Sequence, residues 1–170
     1  MAHPLIEQII TYLPTARDFI DENPFAKRCR AGYFGASDMS HKPESKVVFR
    51  PAEAILSFLG LPTGKHWDAG SCWARDIGTA IDALVGGALR QCPMCIETQA
   101  CLKNDELHLR GTPDMLLDIC GESIYGDVKS TGSGTFDDWT RPGWDASTHY
   151  SARQLQTYLW LAKADHGLIL

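Results

Sequence analysis

The stretch GTPDMLLDICGESIYGDVKS, residues 111–130, decides how this chain folds. Its two apolar runs, MLLDI and SIYGDV, read as strands joined by a turn around Gly121 and Glu122. A hairpin centred there sets Asp114 opposite Lys129. Opposed residues point to the same side of a ladder, with Cβ atoms about 4.5–5.5 Å apart. Asp127 precedes Lys129 by two positions, so the pleat turns it to that side as well. Three charges therefore converge on one patch, provided that the register carries no bulge. The plain alternative is a surface salt bridge between Asp114 and Lys129, which would stabilise little.

Outward from the hairpin, the sequence alternates helix and strand signals. Ile77, Ile81, Leu84, Val85 and Ala88 form one apolar helical stripe. Asp82 lies beside that stripe, Gly78 one turn earlier leaves space next to it, and Gly86 and Gly87 weaken the helix end. Residues 95–110 read as a first hairpin, CIETQACL and LHLRG about the turn KNDE. After the second hairpin comes a Gly/Ser-rich loop, residues 130–148, long enough to suggest function. HYSARQLQTYLWLAKA then reads as a helix with Leu155, Tyr158, Leu159 and Ala162 on one face, followed by the strand start GLIL. Ahead of all this, residues 4–20 predict a short helix interrupted at Pro14. Glycines and prolines break residues 23–46 into turns, and residues 51–59 predict a helix stopped by Gly60 and Pro62.

The bounds are those of one soluble domain. The chain has 170 residues, 44% apolar and 22% charged, with a net charge of −5. It contains no apolar run of about eighteen residues and no basic, signal-like N-terminus, so a cytoplasmic protein without membrane contact is expected. The acidic balance does not advertise a nucleic-acid binder. A site that loads divalent cations on clustered carboxylates is, however, itself acidic when empty.

Two carboxylates and a lysine on one face have a chemical use. Mg²⁺ and Mn²⁺ take oxygen ligands, usually a few carboxylates plus water. The ion lowers the pKa of a water and neutralises a phosphate oxygen, while a neighbouring lysine can orient the attacking water.

The motifs, taken in order, resemble the PD-(D/E)xK nuclease superfamily. Pro113-Asp114 and Asp127-Val128-Lys129 match its signature. GTAID, from Gly78 to Asp82, resembles the helix that supplies a further metal ligand, with aspartate where histidine is common. QLQTY, from Gln154 to Tyr158, resembles the Gln-x-x-x-Tyr motif of the RecB-like branch, which includes phage and recombination exonucleases and CRISPR-adaptation nucleases. The resemblance covers about residues 74–165, half of the chain. It implies a restriction-endonuclease-like α/β fold, a mixed central β-sheet flanked by helices. Residues 1–170 form a single nuclease domain in this reading, with residues 1–65 a helical and loop extension. Relatives continue past the last helix with at least one more strand, so the stop at GLIL reads either as a chain cut short or as a compact variant.

By the same resemblance, Asp82, Asp114 and Asp127 would hold Mg²⁺ or Mn²⁺, with the Val128 carbonyl as an extra ligand. Lys129 would assist the attacking water, and Gln154 and Tyr158, on one helical face, would position substrate or Lys129. The implied activity is metal-dependent deoxyribonuclease action, as an exonuclease on DNA ends or single strands. Partners would be DNA and a recombination, repair, phage or CRISPR complex. The rival expectation is a weakly active or inactive nucleic-acid- or protein-binding module on the same fold.

Six cysteines in a reducing compartment suggest metal ligands or free thiols. Cys92 and Cys95 in CPMC, with Cys101, form a half-site for Zn²⁺ or an iron–sulfur cluster, with Cys72 or Cys29 as the fourth ligand. Buried thiols are the alternative. Several members of the family carry a four-cysteine 4Fe–4S cluster, but most of its cysteines follow the Gln-x-x-x-Tyr helix, unlike the triplet here. Cys120 reads as core, and Glu97 as an exposed strand charge or an outer partner of the site. Trp139 and Trp144 flank Arg141 in the long loop, where rings could stack on bases and arginine meet phosphate. The alternative is that they pin the loop to the body. His66, His108 and His149 form no usable pattern.

Overall fold

The computed structural model describes residues 4–19, 32–36, 58–59, 69–130, 141 and 149–170, with backbone only at 17–19, 69–72 and 74–76. Most of the helix expected at 51–59 and most of the loop at 130–148, including Trp139 and Trp144, lie outside these residues, as do Cys29 and His66.

Helix α1 spans Pro4–Tyr12. Proline suits a first helical position, where its missing N–H has no partner to lose. Leu5 and Ile9, one turn apart, are buried. The chain tightens into a 3-10 segment at Leu13–Phe19, where Pro14 removes a donor from the α ladder. Helix α2 spans Ala69–Leu89 and runs through both Gly86 and Gly87. Its apolar stripe is divided. Ile77 and Ile81 are exposed, Leu84 and Val85 are partly covered, and Ala88 and Leu89 are fully buried. The 3-10 segment packs on the C-terminal half, where a Cβ at Gly87 would run into the Ala16 carbonyl.

Strand β1 is Phe34–Gly35, β2 Cys95–Thr98, β3 Leu102–Asn104 and β4 Leu109–Gly111. Strand β5 is Met115–Ile119, β6 Glu122–Asp127 and β7 Gly167–Ile169. Helix α3, Tyr150–Ala162, lies between β6 and β7 in the chain. The mixed α/β fold expected from the sequence is present. Its strands are divided over two mixed sheets, a four-stranded one in the order β2-β5-β6-β7 and a three-stranded one in the order β1-β4-β3.

The first hairpin differs from its prediction. Only β3 and β4 pair with each other, while β2 joins β5 in the larger sheet. The cause is a left-handed residue, Gln99, with φ 54°, whose N–H donates to the Asp114 carbonyl at 3.0 Å. That kink sends the chain from one sheet to the other beside Asp114.

The second hairpin turns one residue earlier than expected. Ile119 pairs with Glu122, so Cys120 and Gly121 form a two-residue turn with φ of 57° and 86°. The Gly121 N–H donates to Asp118 Oδ1 at 2.8 Å. Met115 then pairs with Gly126, which brings Asp114 beside Asp127 instead of Lys129. Moving the turn by one residue shifts the pairing by two, and an even shift keeps every side chain on its face. The three charges thus stay together although the pairing was misread. Cys120, expected in the core, is an exposed turn residue.

Met115 and Leu117 point into a core with Leu5, Ile9, Ala88, Leu89 and Val128. A second cluster of Ala36, Leu155 and Tyr158 joins α3 to both sheets. Two glycines permit this approach. A Cβ at Gly111 would lie 2.6 Å from the Tyr158 ring, and one at Gly167 would lie 2.9 Å from Leu155. Among the described residues, no helix is long and apolar enough to cross a membrane.

Adjacent α2 glycines should respond oppositely to alanine. Nothing lies within 4 Å of a Cβ at Gly86, so Gly86→Ala should stabilise by about 0.5–1 kcal/mol. Gly87→Ala must push the 3-10 backbone away, and should destabilise by about 1–3 kcal/mol. Urea denaturation of both variants checks the sign.

Candidate functional site

Where β4, β5, β6, α2 and α3 meet, a cleft of about 130 Å³ is lined by Asp82, Asp114, Asp127, Lys129, Gln154 and Tyr158. These are the side chains singled out in the sequence, contributed by four separate segments. Ala36, Arg110, Gly111 and Thr112 complete the lining.

Asp82 is half-buried on α2, four residues after Gly78. The space expected beside Gly78 is filled: a Cβ there would stand 3.2 Å from Ser130 Oγ. Gly78 therefore brings α2 close to the chain leaving β6, directly after Lys129. Asp114 precedes β5, and its Oδ2 accepts the Val128 N–H at 2.8 Å. This bond continues side chain to backbone where the ladder of β5 and β6 ends, and it fixes the carboxylate's orientation. Asp127 closes β6 and is 2% exposed. Its carbonyl accepts from the Leu170 N–H at 3.0 Å, and the Lys129 N–H donates to the Leu170 carbonyl at 2.9 Å. The chain end following β7 thus pins the backbone on both sides of Val128, whose side chain is buried in the core and does not line the cleft.

Lys129 pairs through Nζ with Asp127 Oδ2. Even so, burial pushes the Asp127 carboxyl up from 3.8 to about 7. The Lys129 charge opposes this shift and the Asp114 carboxylate adds to it. On α3, the Gln154 amide donates to the Tyr158 hydroxyl at 2.5 Å. Spacing of one helical turn makes that bond possible, and the Tyr158 ring, 3% exposed, lies against Gly111. His149 caps the start of helix α3, its Nδ1 accepting the Ser151 N–H at 3.2 Å. Burial lowers the His149 pKa, and the nearby Lys129 charge lowers it further.

Among the described residues, no group of three or more His, Cys, Asp or Glu side chains stands close enough to hold a metal ion. Asp82, Asp114 and Asp127 share a cleft without closing into a three-ligand cage. Mg²⁺ does not require one, since it is usually held by one or two carboxylates together with waters and substrate phosphate. The two carboxylates Asp114 and Asp127, side by side in the cleft, meet that requirement, and their donor chemistry suits a hard cation.

The cysteines are arranged differently. Cys92 is buried and donates its thiol to Gln8 Oε1 at 2.7 Å, tying the end of α2 to α1. Cys95 is half-buried, its thiol pushed up to about 11 by burial and by the neighbouring Cys92. Cys101 is exposed and does not join them in a three-ligand group. The Cys72 side chain and Cys29 lie outside the described residues. Glu97 is exposed on β2 and does not line the cleft, and Arg141 is exposed.

Arg110 and Thr112 were missed in the sequence. Their signal was parity: residues 110, 112 and 114 alternate with Leu109, Gly111 and Pro113, all of which are buried. Attention to the Pro-Asp pair hid the two residues on the same side ahead of it.

No family model matches the chain, and no curated protein matches it. Among solved structures, the chain is similar to the crystal structure of SSO0001. The identity is 15%, the TM-score 0.49, and the match covers 99% of this chain and 71% of that one.

The raised Asp127 pKa sets a pH dependence of stability. Between about pH 4 and 7 the folded carboxyl keeps a proton that the unfolded chain has released. Its contribution is therefore complete below the ordinary pKa and lost as pH rises through about 7. Asp127→Asn lacks this loss, and should gain a few kcal/mol over wild type between pH 4.5 and 8.5. Urea titrations at both pH values measure it, and parallel curves for the two proteins would contradict the assignment.

Proposed function

We propose that the chain is a metal-dependent nuclease that hydrolyses phosphodiester bonds in DNA, acting on ends or single strands. The observation supporting this is the gathering of Asp82, Asp114, Asp127, Lys129, Gln154 and Tyr158 around one cleft. They come from positions as far apart as α2 and α3, and ordinary surface charges would have no reason to meet there. Preference for ends or single strands rests on the sequence resemblance alone.

Asp114 and Asp127 would hold Mg²⁺ or Mn²⁺, with Asp82 facing them. The ion would supply positive charge at the phosphate and lower the pKa of a water. The chain's own groups do the rest. The Val128 N–H holds Asp114 in a single orientation. Lys129, 20% exposed and paired with Asp127, is placed to orient the attacking water and to offset negative charge developing on the phosphate. Entry of a cation at Asp127 would free Lys129 for that role. The bond from Gln154 to Tyr158 presents a fixed polar edge on the α3 side, suited to positioning the scissile phosphate.

The pairing of Lys129 with Asp127 also favours a second reading, a module on the same fold that binds nucleic acid and cuts it poorly. Cleavage of end-labelled single-stranded, duplex and closed circular DNA separates the two, with Mn²⁺, Mg²⁺ or EDTA present. Wild type should degrade the linear substrates only with a divalent cation. Lys129→Ala and Asp127→Ala should each lose about a hundredfold or more in rate. Equal inertness of all three proteins that still bind DNA would establish the second reading.

A further inference from the structure

Thr112 stands in the short linker where the chain crosses from β4 of the smaller sheet to β5 of the larger one. Its neighbours on both sides are fixed. Gly111 lies under the Tyr158 ring, and the Pro113 side chain is fully buried. A residue ahead of proline is held to extended backbone, and a β-branched side chain has few rotamers open to it. Thr112 itself is half-buried and lines the cleft, two residues before Asp114. Two residues of chain span at most about 7 Å, so the hydroxyl and the carboxylate border the same space.

The other polar residues of the lining are engaged within the protein. Asp114 accepts the Val128 N–H, Lys129 pairs with Asp127, and Gln154 donates to Tyr158. Asp82 and Arg110 have partners as well. Among the described residues, Thr112 is the one polar member of the lining whose side chain has no hydrogen-bond partner. Valine would fill the same space without burying a polar atom, so the fold itself makes no use of this hydroxyl. A hydroxyl is also a donor without charge. It can bond an anion in the cleft without repelling a cation held by the neighbouring carboxylates.

We infer that Thr112 is a substrate-binding residue whose hydroxyl donates to a non-bridging oxygen of the phosphate that is cut. This rests on the nuclease reading above and adds a contact that the sequence resemblance does not supply. Along the chain, Thr112 joins the glycine beneath Tyr158 to Asp114, so it borders both features assigned to the phosphate, the polar edge of α3 and the carboxylates. A donor so placed strengthens its bond as negative charge grows on the phosphate oxygens, and therefore contributes to rate as well as to binding.

The test compares Thr112→Val, which keeps the shape and removes the hydroxyl, with Thr112→Ser, which keeps the hydroxyl. Fluorescence anisotropy of a labelled single-stranded DNA oligonucleotide in EDTA, over a range of salt, measures binding. Cleavage of the same oligonucleotide with Mn²⁺ is measured on the same preparations. Thr112→Val should weaken binding several-fold at an unchanged slope of log affinity against log salt, because no charge is lost. It should lower kcat by about tenfold, the size expected for a hydrogen bond to a charged group. Its melting temperature should equal or exceed that of wild type, since no bond within the protein is broken. Thr112→Ser should retain affinity and rate. Thr157→Val, which removes a hydroxyl bonded to the Arg153 carbonyl at 3.0 Å outside the cleft lining, is the control and should change neither. With sulfur replacing one non-bridging oxygen at the cut phosphate, one of the two configurations should slow wild type and Thr112→Ser more than Thr112→Val, which has no bond to weaken.

Wild-type affinity and rate in Thr112→Val would overturn the assignment. Equal losses in the valine and serine variants, or equal sulfur effects in all three proteins, would do the same. Cleavage that does not depend on Thr112 refutes this contact alone, whereas the expected binding pattern without cleavage refutes the nuclease reading alone. Absence of both binding and cleavage in wild type refutes both.

Discussion

The Asp127 carboxylate, almost wholly removed from water at the end of a central strand, is the constraint on which the rest of the site depends. An isolated buried carboxylate is costly enough that it normally takes up a proton or finds a counter-charge. Asp127 is poised between the two. Lys129 pairs with it, two residues along the same strand end, while burial and the Asp114 carboxylate push towards protonation. Such a group is held by its surroundings and gives little net stability in return. Its position makes chemical sense if positive charge is meant to enter the cleft.

Rigid surroundings are needed to keep that balance, and the fold supplies them from several directions. The backbone around Val128 is clamped by two hydrogen bonds to Leu170, and the Asp114 carboxylate by the Val128 N–H. Helix α3 wedges between the two sheets, and the absence of side chains at Gly111 and Gly167 lets it come close to both. Gly78 does the same for α2 against Ser130. Three glycines far apart in sequence thus serve one purpose, close approach of helices to the strand ends that carry the charges. The two thiols of CPMC sit away from this arrangement, where Cys92 fastens α2 to α1 through Gln8.

Much of this was legible in the sequence because it depends on periodicity. Alternation through MLLDI and SIYGDV placed Asp114, Asp127 and Lys129 on one face, and pleat parity protected that conclusion when the register moved by two. A four-residue spacing sufficed to pair Gln154 with Tyr158. Where the reading depended on non-local packing, it failed. The stripe of α2 was read as one apolar face, yet its C-terminal half meets the 3-10 segment while Ile77 and Ile81 stay exposed. The first hairpin was read as continuous because nothing local reveals that Gln99 adopts a positive φ and bonds to Asp114.

By itself, the sequence determined the mixed α/β class, the helix–strand order around the second hairpin and the faces on which its charged residues lie, though not β1 or the break at Gln99. Those properties follow from periods of 2 and 3.6 residues and from turn chemistry, all of which act within a few positions. The tertiary structure alone decided the division into two sheets, the burial of Asp127 and the inclusion of Arg110 and Thr112 in the cleft. These outcomes depend on which surfaces pack together and how much water they exclude, and neither is encoded in any one segment of the chain.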